Sequence, residues 1–96
     1  MIKHIVSYKL KDSSLESRQE TKNVLMSMNG KIEVIRDIKV GIDILSSERS
    51  YDIVLEMIFD NLEDLKTYKN HEYHVNVVKK YMHDAFISSV SVDYEF

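Results

Sequence analysis

The stretch LKTYKNHEYH places three polar residues with ring side chains, Tyr68, His71 and His74, within seven positions. It falls between a segment with strand periodicity and a segment with helix periodicity. A neutral histidine can accept a proton near physiological pH, and a nearby phenol can orient a substrate oxygen. His74 as the base and Tyr68 as the positioning group would therefore suffice for proton abstraction next to a carbonyl, without a cofactor. The alternative is that both rings only cap a break in the helix through hydrogen bonds to the backbone.

The letters HEYH at positions 71–74 also suggest a metal site. In the zinc-protease motif H-E-x-x-H, the two histidines are four residues apart, so that both reach one ion from a single helix face. Here His71 and His74 are three residues apart, and Glu72 is out of phase with them. The chain has no cysteine, which excludes thiolate ligands and disulfides. We therefore expect no metal site, and we expect His83, late in its helix, to complement the helix dipole.

His4 lies on the first predicted strand, on the same face as Val6, Tyr8 and Leu10. A single histidine among apolar neighbours is more often a core residue than a catalyst, and its ring nitrogens must then find partners inside the protein. Tyr8 or His74 could supply such a partner. His4 is accordingly a candidate for the wall of a pocket.

Length and charge limit the classes of function. With 96 residues, the chain has room for one domain, residues 1–96, and its 44% hydrophobic and 30% charged residues are typical of a globular protein. A net charge of −3 with dispersed Lys and Arg argues against nucleic-acid binding, because phosphate contacts need clustered positive charge. No apolar run reaches the roughly 18 residues that span a bilayer, so we expect no membrane segment. The expected location is the cytoplasm.

The first half of the chain predicts a strand, a helix and a second strand. In residues 2–10, the positions of His4, Val6, Tyr8 and Leu10 alternate with those of Lys3, Ile5, Ser7 and Lys9, as on the two faces of a half-buried strand. Ser13 and Glu16 have the spacing of a capping box, which predicts a helix that runs to about Met28 and ends at the following Asn-Gly. The β-branched content of residues 32–42 predicts the second strand.

The second half predicts a hairpin, a broken helix and a last strand. The polar segment 45–50 predicts a loop before a third strand at 51–59, where apolar residues alternate with other residues. Asp60 predicts the start of a helix that breaks near Asn70. The remaining predicted elements are a second helical piece and a strand, residues 72–83 and 86–95.

The predicted order β-α-β-β-α-β is that of the ferredoxin-like α+β fold, in which helices cover one face of a four-stranded antiparallel sheet. The other face of the sheet would carry Ile5, Val54 and Ile58, and an apolar face of this kind favours a partner over water. Two such sheets packed face to face would bury these residues. We therefore expect a homodimer in which the paired sheets form a dimeric α+β barrel.

Several segments resemble the stress-responsive A/B barrel family: MIKHIVSYKL, VGIDI, ERSYDIVLEMIFDNLEDLKTYKNHEYHVNVV and SVDYE. The likeness spans nearly the whole chain, and it implies a small dimeric α+β barrel. Similar barrels include cofactor-free polyketide cyclases. In these cyclases, a Tyr and a His of a Y-x-x-H-P-x-H segment and a His near the start of the first strand line a pocket between sheet and helices. The matching positions here are Tyr68, His71, His74 and His4, and Glu72 stands where the family pattern has proline.

Two functional hypotheses follow. In the first, a homodimer binds a small apolar or aromatic molecule between sheet and helices, with His74 and Tyr68 as candidates for cofactor-free lyase or cyclase chemistry. The residues expected to contact that molecule are His4, Tyr8, Leu25, Leu55 and His71. In the second, the chain is a stress-associated binding or structural protein without turnover, and its histidines serve packing.

Overall fold

Helices cover one face of a four-stranded antiparallel sheet in the computed structural model, which describes residues 1–96. The elements in chain order are β1 (Ile2–Leu10), α1 (Leu15–Met26), β2 (Asp37–Ile42), β3 (Ile53–Phe59), α2 (Leu62–Asn70), a π-helical segment (His74–Val78), α3 (Lys79–Ala85) and β4 (Phe86–Glu95). The predicted β-α-β-β-α-β order and ferredoxin-like fold are confirmed. None of the helices has the length and apolar composition needed to cross a membrane.

The sheet has the strand order β2-β3-β1-β4, so β1 lies between β3 and β4. In this register His4 is opposite Met57 on one side and opposite Asp93 on the other. Because side chains alternate along a strand, His4, Val6 and Leu10 point to the same face, and all three are buried under the helices. The first strand therefore contributes to both the core and the candidate site.

The core lies between the inner face of the sheet and the helices, and it contains 15 buried apolar residues. Leu25 of α1 and Met28 just beyond it are fully buried, and they meet the alternate positions Leu55, Met57 and Phe59 of β3. The period of two on the strand and the spacing of three to four on the helix bring these side chains onto facing surfaces. This packed layer supports the cavity beside it.

Both predicted helix starts are wrong by one residue. Ser14, not Ser13, is the N-cap of α1, and its hydroxyl oxygen accepts a hydrogen bond from the Ser17 amide at 3.2 Å. Asn61, not Asp60, is the N-cap of α2. At each start, two neighbouring side chains have the chemistry of a cap, and the backbone conformation selects the second of them.

The second strand begins at Asp37 and not at residue 32 as predicted. The segment before it forms turns, in which the Ile32 amide donates to the Met28 carbonyl at 3.3 Å. The first backbone bond toward β3 is made by the Arg36 amide, which donates to the Ile58 carbonyl at 2.8 Å. Ile32 packs into the core from this turn. Its apolar side chain suggested a strand, but it is buried although it belongs to no strand.

Candidate functional site

A cavity of about 280 Å³ lies between the inner face of the sheet and the helical segments that follow α2. Strands β1 and β4 form its floor, and the π-helical segment and α3 form its roof. Its size is near the lower limit of ordinary ligand pockets, so it suits a small molecule. The lining residues are Val6, Tyr8, Tyr68, His74, Val78, Lys79, Met82, His83, Phe86 and Ser89.

The chain beyond α2 does not continue as an ordinary α-helix. The break predicted near Asn70 is confirmed, since α2 ends there and His71 is extended, with φ −62° and ψ 137°. In the π-helical segment that follows, the Lys79 amide donates to the His74 carbonyl five residues earlier. Wide turns of this kind are rare, and they often occur at functional sites. Both residues joined by this bond line the cavity.

His74 is held in one orientation by the end of α2. Its Nδ1 lies 3.0 Å from the carbonyl oxygen of Lys69. A carbonyl oxygen can only accept, so Nδ1 carries the proton, and Nε2 of the neutral ring keeps its lone pair. Burial lowers the pKa of His74, the hydrogen bond to Lys69 opposes this shift, and the nearby charge of Lys79 lowers the pKa further. The neutral, proton-accepting form of His74 is therefore favoured.

Tyr68 lies between two histidines. Its ring centroid is 4.4 Å from that of His74 and 5.9 Å from that of His4. Tyr68 is 3% exposed, and burial raises its pKa far above the ordinary value of a phenol, so the hydroxyl stays protonated. The tyrosine hydroxyls that form hydrogen bonds within the chain are those of Tyr73 and Tyr81. The hydroxyl of Tyr68 is therefore available to donate to a bound molecule.

Tyr8 adds a second phenol to the cavity wall. Its ring meets the edge of Phe86 at a centroid distance of 5.7 Å. Burial raises the pKa of Tyr8 to about 12, so this hydroxyl is also protonated at neutral pH, and it has no partner within the chain. The two phenols thus add hydrogen-bond donors beside the proton-accepting His74 on largely apolar walls.

His4 stands behind Tyr68 and does not line the cavity. Its Nδ1 lies 2.5 Å from Oδ1 of Asp93 across the β1–β4 pair. The sequence led us to expect Tyr8 or His74 as the partner of the His4 ring, but the observed partner is Asp93. Asp93 was missed as a site residue, although it is one of two acidic residues, with Glu95, on the positions of the last strand that lie opposite the buried His4 and Ile2. That position in the alternation was the signal that could have found it.

His71 is the ring residue of the segment that the structure separates from the others. It borders a different groove together with Glu72, and its Nδ1 accepts a hydrogen bond from the Tyr73 amide at 3.0 Å. Its extended backbone takes it off the path of the helix, and this explains why it leaves the cavity. Glu72, at the position of the family proline, is exposed and also lies outside the cavity. No group of three His, Asp or Glu side chains in the chain could hold a metal ion.

The two predicted leucine contacts lie in the core. Leu25 and Leu55 are at most 1% exposed, and neither lines the cavity. Their apolar character and period suit a cavity wall and a core equally well, so the sequence could not separate the two roles. The side chains of α3 that do line the cavity, Lys79, Met82 and His83, were not among the predicted contacts.

Comparisons with known proteins agree on the fold. A family model described as the stress responsive A/B barrel domain matches residues 2–96. A dimeric protein of unknown function with a ferredoxin-like fold from Bacteroides fragilis is 37% identical, with 99% of this chain and 95% of that chain covered and a TM-score of 0.82. A Dabb family protein with a ferredoxin-like fold from Mesorhizobium loti is 19% identical, with 98% and 94% covered and a TM-score of 0.84.

Enzymes also share this fold at low sequence identity. A hydroxynitrile lyase from Passiflora edulis is 15% identical, with 97% of this chain and 90% of that chain covered and a TM-score of 0.80. At this level of identity the likeness concerns the fold alone. No curated protein matches the chain in sequence.

Proposed function

The chain belongs to the stress responsive A/B barrel domain family, and from this premise we propose that it acts as a homodimer that binds a small, largely apolar or aromatic molecule beside His74. The family assignment made from the sequence is confirmed. We further propose that the bound molecule undergoes cofactor-free proton transfer, of the kind that a lyase or cyclase catalyses.

One observation carries this proposal: a neutral imidazole and a protonated phenol lie against each other on the wall of an apolar cavity. The rings of His74 and Tyr68 are 4.4 Å apart. The Nδ1 proton of His74 is engaged by the Lys69 carbonyl, which leaves Nε2 as the basic atom. A base and a hydrogen-bond donor in one largely apolar cavity are the groups that proton abstraction next to a carbonyl requires.

In the proposed reaction, Nε2 of His74 takes a proton from the carbon next to a substrate carbonyl. The electron pair of the broken C–H bond forms an enolate, and the Tyr68 hydroxyl donates a hydrogen bond to its oxygen. Because the pKa of Tyr68 is raised, this hydroxyl keeps its proton and does not add a second negative charge. Return of the proton from the imidazolium to the product regenerates the base, so the cycle needs no cofactor.

Hydrogen exchange on a simple ketone tests this chemistry. Phenylacetone in D₂O exchanges the hydrogens next to its carbonyl, and proton NMR follows the exchange. We expect the protein to accelerate the exchange over buffer, and we expect His74→Gln to reduce that acceleration by about 10²- to 10⁴-fold, the usual contribution of a positioned base. His71→Gln is the matched control, since His71 lies outside the cavity, and it should retain the acceleration.

A non-catalytic role is the second candidate, and one contact favours it. The His74 ring also serves structure, because its Nδ1 satisfies a carbonyl in the last turn of α2. Under this alternative, the protein binds phenylacetone but exchanges its hydrogens no faster than buffer does. A His74→Gln variant with unchanged exchange and lowered thermal stability would exclude the catalytic role and retain the structural one.

The outer face of the sheet supports the homodimer. Val90 and Val92 of β4 are 51% and 60% exposed, and Val92 lies opposite Ile5 of β1. Exposed apolar patches of this kind mark interaction surfaces. The 37% identical protein from Bacteroides fragilis is described as dimeric.

Native mass spectrometry tests the dimer and detects any small molecule that co-purifies. We expect a mass of two chains, and we expect Val92→Glu to yield the monomer because it would bury a charge in the sheet interface. Ile44→Glu is the control, since Ile44 is 97% exposed in the loop after β2 and lies off the sheet face. A monomer in the unsubstituted protein would exclude the dimer.

A further inference from the structure

The residues that line the cavity include a lysine and no acidic side chain. The chain as a whole is acidic, with 16 Asp and Glu against 13 Lys and Arg. No Asp or Glu is among the ten residues that line the cavity, whereas Lys79, His74 and His83 are. With 16 acidic residues among 96, a set of ten would contain one or two on average, so the cavity lining is less acidic than the chain as a whole.

Lys79 and His83 lie at the mouth of the cavity. They are four residues apart on α3, which puts them on the same face of the helix, and both are exposed residues that border the opening. None of the ion pairs in the chain includes Lys79, so its ammonium group has no acidic partner. Its charge also acts inside the cavity, because it contributes to the lowered pKa of His74.

We propose that the ligand of this cavity is an organic acid, with an apolar or aromatic body among the rings and a carboxylate held at the mouth by Lys79 and His83. The inference rests on the proposed function, since it concerns the same cavity. The carboxylate would supply the counter-charge that Lys79 lacks. The ring of His83 would donate a hydrogen bond to the same group. The apolar body would lie along Val78, Met82 and Phe86, against the two phenols.

Binding of two matched probes tests the proposal. 2-Naphthoate and 2-naphthamide have the same ring system, and only the first is charged. Affinities measured by NMR titration should favour the naphthoate by about three- to fivefold, the upper part of the range measured for ion pairs that remain partly in water. Lys79→Gln should remove this preference. Lys80→Gln is the control, because Lys80 is exposed on the same helix and does not line the cavity, and it should preserve the preference.

Each outcome has a separate meaning. Equal affinity for the two probes in the unsubstituted protein would overturn the acid specificity and leave the cavity as a binding site. A preference that survives Lys79→Gln, or disappears in Lys80→Gln, would overturn the role of Lys79. Failure of both probes to bind would overturn the acid ligand and the proposed binding function together. Because Lys79 is exposed, its substitution should leave the thermal stability unchanged, which separates loss of binding from loss of folding.

Discussion

Two polar clusters near opposite ends of β1 differ in how fully their hydrogen bonds are satisfied. In the first, the Arg18 cluster, the buried Arg18 donates to Oδ1 of Asp52 at 3.2 Å and to the Asp43 carbonyl at 3.0 Å. The second carboxylate oxygen of Asp52 accepts from the Leu10 amide at 2.8 Å. Within this cluster, Nε of Arg18 is the one buried side-chain atom without a partner. The Arg18 cluster therefore ties α1 and the loop before β3 to the end of β1.

The second cluster, the Tyr68 cluster, consists of His4, Asp93, Tyr68 and His74. Each histidine uses Nδ1, for Asp93 or for the Lys69 carbonyl, and keeps Nε2 unused. The hydroxyl of Tyr68 between them is unused as well. This cluster borders the cavity, and the Arg18 cluster does not. Arg18 and Asp52 border an opening of their own, and Nε of Arg18 has no partner, so neither burial nor one free hydrogen-bonding atom by itself marks a site. The Tyr68 cluster differs because it places a neutral base and a protonated phenol, each with a free hydrogen-bonding group, on a largely apolar cavity.

The largest expected effect comes from breaking the Arg18 cluster. In Asp52→Ala, the Arg18 guanidinium stays buried without its counter-ion, and the Leu10 amide loses its acceptor. Removal of one partner of a buried ion pair is strongly destabilising, so we expect the free energy of unfolding in urea to fall by about 3 kcal/mol.

The surface pair of Arg36 and Asp60 is the control for this change. Its side chains are 60% and 48% exposed, so Asp60→Ala should lower the free energy of unfolding by less than about 1 kcal/mol. Equal losses in the two variants would contradict the structural role assigned to the Arg18 cluster.

A smaller effect is expected from Asp93→Asn in the Tyr68 cluster. The substitution keeps the shape of the side chain but replaces a charged acceptor of the His4 bond with a neutral one. We expect the free energy of unfolding to fall by about 1 kcal/mol, measured in urea. Asp84→Asn, at an exposed position of α3, should cause no measurable loss. A loss in Asp93→Asn as large as that in Asp52→Ala would mean that the two clusters are equally structural.

The stability should depend on pH through His74, which titrates, and not through Arg18, which stays charged throughout. The folded chain lowers the pKa of His74, mainly by burial, so the unfolded chain binds a proton more readily. The contribution of neutral His74 to the free energy of unfolding is therefore complete above the ordinary histidine pKa of about 6.5. This contribution is lost as the pH falls from there through the lower pKa of the folded state. Thermal unfolding at pH 8 and pH 5 should show a smaller decrease for His74→Gln than for the unsubstituted protein. Parallel curves would rule out a lowered pKa at His74.

The smallest expected effect is that of Tyr68→Phe. Its hydroxyl has no partner in the chain, so its removal should change the free energy of unfolding by at most about 0.5 kcal/mol. Tyr73→Phe is the comparison, because the Tyr73 hydroxyl donates to Oγ of Ser27 at 2.7 Å, and it should lose about 1 kcal/mol. If Tyr68→Phe is the more destabilised of the two in urea, the Tyr68 hydroxyl is not free as described.

Local patterns predicted most of the elements because they need only neighbouring residues. Alternation identifies a half-buried strand directly, and both β3 and β4 were found in this way. Strand β4 has the predicted bounds, and β3 begins two residues later than predicted. The start of β2 was wrong because Ile32 is buried from a turn, and burial gives the same apolar signal in a turn as in a strand. The helix caps were wrong by one residue because adjacent polar side chains compete for the same role.

The candidate site was predictable in part. The sequence indicated Tyr68 and His74 from their spacing and from the family resemblance, and the structure brings their rings together; their catalytic roles remain proposals. His71 belongs to the same segment, yet one extended residue at the end of α2 takes it away from the cavity. The π-helical segment that follows lies within the helical piece predicted at 72–83, because the apolar spacing of a π turn and of an α-helix is alike over so few residues.

By itself, the sequence determined the family, the order of the elements and the faces of the strands, because these follow from local periodicity and from a likeness that extends along the chain. Only the tertiary structure decided that His4 meets Asp93, 89 positions away, and that Arg18 is buried against Asp52, 34 positions away. Contacts of this length depend on strand register and helix docking. A shift of one residue would exchange the two faces of a strand, so no local pattern can specify which distant side chains meet.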